Sequence, residues 1–344
     1  MREICTSGSV GRAPGNRCLY PDRDGKDHAA RQLPVVRIKC PINKIEDGIM
    51  ANKKDKAKRS AAIVTAVRAL GFYDKDAQNP DSMAIFFLSR KFKIMVWLLR
   101  IVQMIGKGFL ERSAPGFYWY FQVRTKHLDA ILEKAINTGI EQLVILGAGY
   151  DSRPYRFREM LNGIRIFEVD LPGTLSFKKQ KLLKLYSSLP KHVTYIPIDF
   201  NSQSIKDVLF KGGYEADKKT LFIWEGVSYY LTNDSFDAVL EFVAKNSLPD
   251  SSIAFDYAIR SFIEGDYSTY GAKKLAETWE KMGEPGLSGI ENGATDSFLI
   301  ERGLSIISDI GSDELERIFA TNKDGEQIGR IWGCMRIAHA SVIG

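Results

Sequence analysis

The segment 142–157, QLVILGAGYDSRPYRF, constrains the fold of this chain more than any other stretch. Its apolar run ends abruptly in Gly147-Ala148-Gly149 and is followed by polar residues. Glycine has no Cβ, so the backbone can turn sharply there and approach a ligand closely. The pattern predicts a buried strand that turns tightly beneath a nucleotide-like cofactor. A purely structural turn stays open, because glycine also ends strands and Ser152 replaces the third glycine of the dinucleotide fingerprint.

Four further apolar runs follow at strand-like intervals, and each leads into an acidic residue. The acids are Asp170, Asp199, Glu225 and Asp256, after the runs 164–169, 193–198, 221–224 and 253–255. Asp170 lies 23 positions after Gly147, where an acid is placed to accept both ribose hydroxyls of a nucleoside. Asp199 is placed to accept from an adenine amino group, with Phe200 packed on the ring. Any one acid could cap the next helix instead, but four at one edge favour a ligand site.

Helical stretches separate these runs, for example at 175–187 and 234–245. Strands that alternate with helices typically form a parallel sheet that is covered by helices on both faces. We therefore predict an α/β fold with a doubly wound, mostly parallel sheet. The 344 residues, 44% of them apolar, suit one large unit with insertions better than several domains.

Five blocks of the chain combine into a more specific pattern. They are VRTKHLD at 123–129, VILGAGYDSRPYRF at 144–157, FEVDLPGTLSFKKQKL at 167–182, FIWEGVSYYL at 222–231, and the tail from 283 to the strand-like segment 335–342. Together they resemble the leucine carboxyl methyltransferase family, closest to its bacterial branch of small-molecule carboxyl O-methyltransferases. The bacterial members usually carry Asp-Pro-Leu-Ala in the lid, whereas this chain has the longer NPDSMA at 79–84.

The resemblance implies a class I methyltransferase fold, a seven-stranded Rossmann-like sheet with an added helical lid, and S-adenosyl-L-methionine as the cofactor. The cofactor-binding residues that it implies are Arg124 for the methionine carboxylate, Gly147, Ala148 and Gly149 along the cofactor, Asp170 for the ribose, Asp199 and Phe200 for the adenine, and Glu225 for the methionine amino group. The chemistry agrees, because a guanidinium clamps a carboxylate through two charge-assisted bonds and a carboxylate pairs with an ammonium.

We expect three regions along the chain. A poorly ordered basic extension or small cap covers 1–50, a helical lid or substrate cap covers 51–125, and the methyltransferase core covers 126–344 with a lid insertion around 258–300. Residues 1–60 hold 14 Lys and Arg against 7 Asp and Glu, whereas the remainder is nearly balanced. A nucleic-acid enzyme more often carries its basic stripe on the catalytic domain, so we expect no nucleic-acid partner. The run 53–59 is interpreted as a solvated helix start.

The sequence favours a cytoplasmic protein without a metal. No apolar segment follows the basic start, and Asp22, Asp24 and Asp27 are atypical of an organellar transit peptide. The four cysteines form no C-x-x-C pair and have no histidine at zinc-ligand spacing. We therefore expect neither a disulfide framework nor a metal site.

The most apolar stretch, IMVWLLRIVQMI at 94–105, is interpreted as a lid helix or a wall of an apolar pocket. Arg100 interrupts it, and it is shorter than the ~20 residues that span a bilayer. Arg90, Lys91 and Lys93 precede it, which leaves peripheral membrane contact as a less favoured alternative.

The expected reaction is O-methylation of a small molecule, most simply at a carboxylate by in-line displacement. A carboxylate is ionised at neutral pH and needs no base, which fits a chain without an obvious catalytic Asp-His or Lys arrangement. No catalytic residue is assigned; candidates for the acceptor pocket are Tyr229, Tyr230, Tyr120 and His127. Two alternatives remain, a methyltransferase of a protein C-terminal carboxylate and a nicotinamide-dependent oxidoreductase or silent nucleotide-binding module.

Overall fold

The structure is a computed structural model that describes residues 53–344, except for the side chains of 53–58 and 102–110. The predicted extension or cap at 1–50 lies outside the described residues. The predicted helix start at Lys53 is the first residue of helix α1, Lys53–Phe72.

The described core is a seven-stranded sheet. Its strands are β1 Gln142–Leu146, β2 Arg165–Asp170, β3 Val193–Pro197, β4 Thr220–Trp224, β5 Ser252–Ala258, β6 Leu304–Ile310 and β7 Met335–Val342. Their order is β3-β2-β1-β4-β5-β7-β6. The first five strands are parallel, and β7 is antiparallel to both β5 and β6. The predicted α/β fold with a mostly parallel sheet is confirmed.

Twelve described helices flank or cap this sheet. After α1 they are α2 Ala84–Phe87, α3 Arg90–Ser113, α4 Phe117–Asn137, α5 Arg153–Arg156, α6 Pro172–Tyr186, α7 Ile205–Lys211, α8 Asn233–Lys245, α9 Arg260–Ile263, α10 Ala272–Met282, α11 Thr295–Ile300 and α12 Ser312–Phe319. Local interactions determine where some of these helices begin. Pro172 begins α6, where its missing N–H costs nothing, and the Thr232 hydroxyl caps α8 by accepting from the Ser235 N–H.

Helices cover both faces of the sheet because side chains alternate along each buried strand. Leu143 and Ile145 of β1 belong to one apolar core, which they share with α1 and α4. Val144 and Leu146 point the opposite way into a second core, which they share with α7 and α8. This two-sided burial explains why β1 reads as a continuous apolar run rather than an alternating one.

Strand β5 is longer than its sequence predicted. We expected Asp256 to follow the strand, but it lies inside β5, two residues before the end at Ala258. The reason is tertiary: β7 pairs with β5 along its whole length, from Ser252 to Ala258. That pairing extends the strand past the polar residue and places Asp256 in the buried interior.

The segment 51–125, where we expect a helical lid or substrate cap, contains the described helices α1, α2 and α3, and its boundary at 125 falls within α4. Helices α9, α10 and α11 lie in the segment 258–300, where we expected an insertion. Within the described part of the chain, none of the helices has the length and apolar character needed to cross a bilayer.

Candidate cofactor and active site

The turn after β1 requires glycine at its first position. Gly147 has a φ of +67° and Gly149 a φ of +43°, both in the left-handed region that favours glycine. A Cβ on Gly147 would lie 2.2 Å from Cγ2 of Val227. At Gly149 an added Cβ would meet nothing nearer than 3.8 Å. The backbone at Gly149 is therefore open to close approach by a ligand.

Asp170, the last residue of β2, binds the backbone of this turn. Its carboxylate accepts from the backbone N–H of Gly149 at 2.5 Å and from that of Leu171 at 2.5 Å. Burial raises the pKa of the Asp170 carboxyl, while those two N–H groups oppose the shift. A carboxylate has about four acceptor positions, so Asp170 keeps acceptor capacity for ligand hydroxyls.

Glu225, directly after β4, faces the guanidinium of Arg124 from α4. Nε of Arg124 lies 3.0 Å from Oε1 of Glu225, at an angle that makes this an ion pair rather than a directed hydrogen bond. Burial opposes the ionisation of Glu225, but Arg153 and Arg124 hold the pKa of its carboxyl well below the usual range. Glu225 is therefore a carboxylate at neutral pH and can accept from an ammonium group.

Asp256 is a third partner of this cluster; the sequence placed it among the acids at this edge of the sheet but assigned it no role in binding the cofactor. Its Oδ2 accepts from Nη1 of Arg124 at 2.6 Å and from the hydroxyl of Tyr120 at 2.8 Å, and its Oδ1 accepts from the Gly226 N–H at 2.6 Å. The only signal in the sequence was its place at the end of an apolar run. Asp256 holds the Arg124 guanidinium at the carboxyl end of the sheet.

Arg153 lies at the centre of the charged cluster and was also missed. Its Nη1 donates to Asp151 at 2.6 Å and to Glu225 at 2.6 Å, and its Nε donates to Asp129 at 2.8 Å. The Arg153 side chain is fully buried. The polar letters DSRPYR after the glycine turn were the available signal. They could not show that Arg153 would bind three carboxylates from three different segments.

The charged cluster extends to Arg68 of α1 and to Asp81, which precedes α2. Arg156 donates to Asp129 at 2.5 Å and to the Ser152 hydroxyl at 3.0 Å. Ser152 in turn donates to Asp81 at 2.6 Å, and Nε of Arg68 lies 3.4 Å from the other oxygen of Asp81. Asp81 belongs to the segment 79–84 that differs from the usual lid sequence. The segment 79–84 therefore makes a buried contact with Ser152, just after the glycine turn.

A second buried ion pair lies beside the turn. Nζ of Lys178 from α6 is 2.8 Å from Oε1 of Glu168 in β2, and both side chains are fully buried. The same ammonium lies 3.4 Å from the carbonyl oxygen of Ala148. Lys178 therefore links the Glu168 carboxylate of β2 to the backbone of Ala148, the middle residue of the glycine turn.

Asp199 and Phe200 lie just past β3, next in the sheet to β2. Both are half-buried, and Phe200 packs against the second core. The Asp199 carboxylate accepts from the Asn201 N–H at 3.1 Å. Two other predicted residues, Asp170 and Glu225, flank the glycine turn from β2 and β4, the neighbours of β1. This order matches a ligand with a base and sugar at one end and an amino acid at the other.

Three of the four acceptor-pocket candidates meet beside Arg124. Tyr120 donates to Asp256, and Tyr229 stacks on Trp279 with a ring distance of 4.9 Å. Tyr230 lies against both, 4.6 Å from the Tyr229 ring and 5.4 Å from Trp279. Burial raises the pKa of all three tyrosine hydroxyls, assisted by Asp256 at Tyr120 and Tyr229. These hydroxyls therefore stay protonated at neutral pH; that of Tyr120 donates to Asp256, and that of Tyr229 accepts from Arg124.

A sequence profile described as leucine carboxyl methyltransferase matches residues 61–244. The chain belongs to this family. The matched region contains Arg124, the glycine turn, Asp170 and Glu225, whereas Asp256 lies beyond it. The predicted family is confirmed, and its bacterial small-molecule branch stays a prediction.

Two bacterial proteins are similar to this chain in sequence. A protein of Bacillus subtilis (strain 168) is 30% identical over 200 residues, which cover 58% of this chain and 66% of that protein. A protein of Mycobacterium marinum is 28% identical over 230 residues, which cover 65% of this chain and 73% of that protein. Their names assign both provisionally to the S-adenosyl-L-methionine-dependent methyltransferases. The match spans slightly less than two thirds of the Bacillus protein.

The fold is also similar to a solved structure. A crystal structure of a DUF574-family protein from Streptomyces avermitilis aligns with 81% of this chain and 96% of its own length. The TM-score is 0.52 at 14% identity. This likeness concerns the α/β Rossmann-like fold alone.

The fourth acceptor candidate, His127, does not belong to the group formed by Tyr120, Tyr229 and Tyr230. It is buried, and its ring lies 5.8 Å from that of Phe319 in α12. Burial lowers the pKa of His127, so the ring is neutral at pH 7. Helices α4 and α12 pack together, which brings His127 and Phe319 into contact.

Acidification from pH 6.5 to 4 is expected to cost about 3 kcal/mol of folding stability through His339 of β7. Burial, aided by Lys134 and His127, lowers the pKa of His339 to about 4, against 6.5 for an unperturbed histidine. Because the folded-state pKa is the lower one, the contribution is complete above pH 6.5 and is lost as the pH falls towards 4. Urea titrations across this range measure the effect.

His339→Gln should reduce the loss of stability between pH 6.5 and 4, with His192→Gln, at a half-buried site, as the matched control. An unaltered slope in His339→Gln would mean that the ring takes up its proton without opposing the fold.

Proposed function

We propose that this chain is an S-adenosyl-L-methionine-dependent methyltransferase that methylates a carboxylate of a small molecule. The observation that supports this most is the order of groups along one edge of the sheet. Asp170, the open turn at Gly149, and the Glu225–Arg124 pair follow one another on the neighbouring strands β2, β1 and β4 and on α4. A nucleoside joined to an amino acid requires these partners in this order.

Each residue in the cofactor site has a distinct task in the proposal. Asp170 accepts the ribose hydroxyls, Asp199 and Phe200 frame the adenine, Glu225 accepts from the amino group, and Arg124 donates to the carboxylate. Gly147, Ala148 and Gly149 let the backbone approach the ligand. When bound, the cofactor would supply an activated sulfonium methyl group for transfer to an ionised oxygen of the acceptor. The protein mainly aligns the acceptor and excludes water.

The tyrosines beside Arg124 support a carboxylate acceptor over a phenol. A phenol needs a base to remove its proton, and buried Tyr120 and Tyr229 have raised pKa values that keep them protonated. The proton of Tyr120 is already donated to Asp256, but the protonated hydroxyls of Tyr229 and Tyr230 can donate to an acceptor that is already an anion. A carboxylate is already an anion at neutral pH, so it can accept these hydrogen bonds and needs no base to remove a proton.

Calorimetric titration of the full chain with S-adenosylhomocysteine, run beside NADH, tests the proposal. Asp170→Asn is expected to weaken S-adenosylhomocysteine binding by roughly tenfold to a hundredfold, because it replaces charge-assisted bonds to the ribose. Asp217→Asn, at an exposed acid, is the matched control and should bind normally. Thermal melting of each variant checks that the protein remains folded.

Preference for NADH, or no binding of S-adenosylhomocysteine by the wild-type chain, would contradict the proposed cofactor. If the cofactor binds, methyl-ester formation from small carboxylic acids and from peptides with free C termini distinguishes the two acceptor classes. Labelling of peptides alone would replace the small-molecule acceptor by a protein C-terminal carboxylate.

A further inference from the structure

Helix α3 exposes a stripe of large apolar side chains. Ile94, Leu98 and Ile101 are each 51% exposed and Trp97 is 61% exposed. Their spacing of three and four residues places them on one face of the helix. A contiguous exposed apolar surface of this kind marks an interaction site in a folded protein.

The opposite face of α3 is already used by the fold. Val96 is buried in the first core, and Phe92, Met95 and Leu99 pack against it. Helix α3 is therefore apolar on two sides. One side packs against the described core, and the side chains of the other are exposed. Its outer stripe is not required for packing against the described core.

Basic side chains surround the beginning of this outer face. Arg90 and Lys91 are exposed, and the first turn of α3 contains no acid. Lys93 lies over the ring of Phe86, which is itself 44% exposed. Lys181 of α6 donates to the Leu88 carbonyl at 2.7 Å, which brings a further cation to the same area. Its pKa is lowered by burial and by the positive charges of Lys93 and Lys184.

We propose that this outer face of α3 docks the protein onto an anionic lipid bilayer. Apolar side chains enter the boundary between headgroups and acyl chains, and the lysines beside them pair with lipid phosphates and carboxylates. The sequence alone did not favour this contact, because it could not show which side of α3 is covered.

Charge argues against two other occupants of the face. Residues 1–52 carry nine Lys and Arg against six Asp and Glu, so this segment has the same sign as the surroundings of α3. A second copy of the chain would bring an identical basic surface into contact with the first. An anionic bilayer is the occupant with the complementary charge.

Trp97 provides a direct readout in the unmodified protein. The other four tryptophans, Trp119, Trp224, Trp279 and Trp332, are all buried. Vesicles of phosphatidylcholine with phosphatidylglycerol should shift the Trp97 emission to the blue, and brominated lipids should quench it. Vesicles of phosphatidylcholine alone should do so much less, and salt should weaken the effect.

Two variants distinguish insertion of the α3 face into the bilayer from nonspecific adsorption of the protein to vesicles. Trp97→Ser combined with Leu98→Ser should lower vesicle co-sedimentation by at least about tenfold. Ile307→Ser removes an equally apolar residue that is 48% exposed on β6, and it should sediment like the wild type. Melting curves should coincide for all three proteins, because the replaced side chains are mostly exposed.

The proposal is overturned if the wild-type chain binds neither kind of vesicle, or if Trp97→Ser/Leu98→Ser binds as well as the wild type. It is also overturned if sedimentation velocity shows a dimer that this variant abolishes, because the face would then join two copies. None of these results depends on methyltransferase activity.

Discussion

Replacing Arg153 with methionine is expected to lower the free energy of unfolding by about 3–5 kcal/mol, because it leaves buried carboxylates without their partner. Asp151, Glu225 and Asp129 all pair with this one guanidinium, and its side chain is fully buried. Methionine fills a similar length without a charge, so the loss reflects the missing ion pairs rather than a large cavity. Urea unfolding followed by far-ultraviolet circular dichroism measures it.

Arg165→Met is the matched control for this prediction. Arg165 also pairs with a carboxylate, that of Glu215, but the two side chains are 46% and 45% exposed. An exposed pair of this kind contributes about 0–1 kcal/mol. Equal losses in the two variants would mean that the carboxylates around Arg153 are neutral or solvated in the folded protein.

Arg124→Lys is expected to weaken S-adenosylhomocysteine binding by roughly tenfold to a hundredfold, in line with the loss of charge-assisted hydrogen bonds. Lysine keeps the positive charge that Asp256 and Glu225 require, but it lacks the planar fork that can meet two protein carboxylates and a ligand carboxylate together. Calorimetry measures the affinity, and thermal melting reports separately on the fold.

Arg336→Lys controls for the general effect of this substitution. Arg336 pairs with Asp309 at 2.9 Å between β7 and β6, so its replacement should leave cofactor affinity unchanged. If Arg124→Lys melted at a lower temperature yet bound S-adenosylhomocysteine normally, Arg124 would be a structural residue, and the methionine carboxylate would need another partner.

Much of the candidate cofactor site was accessible from sequence because its residues follow strands. An apolar run identifies a buried strand locally, and the carboxyl ends of parallel strands share one edge. Asp170 and Glu225 could therefore be placed near the glycine turn before their distances were known. Their contacts with Gly149 and Arg124 fit that placement.

The partners of Asp256 and Arg153 could not be assigned in this way. Asp256 meets Arg124 across 132 positions of sequence, and Arg153 meets Glu225 across 72. Nothing in a single chain states which buried charges will pair over such separations. His127 shows the same limit, because the sequence made it an acceptor-pocket candidate but could not show that its ring would lie against Phe319 of α12.

The sequence by itself determined the family, the alternation of strands and helices, and the glycine turn with its acidic neighbours, since all of these depend on local composition and spacing. Only the tertiary structure decided three other features: the insertion of β7 that draws Asp256 into β5, the partners of the buried arginines, and the uncovered side of α3. Each of these arises when distant segments pack together. Packing determines which buried charge is compensated and which apolar face stays exposed.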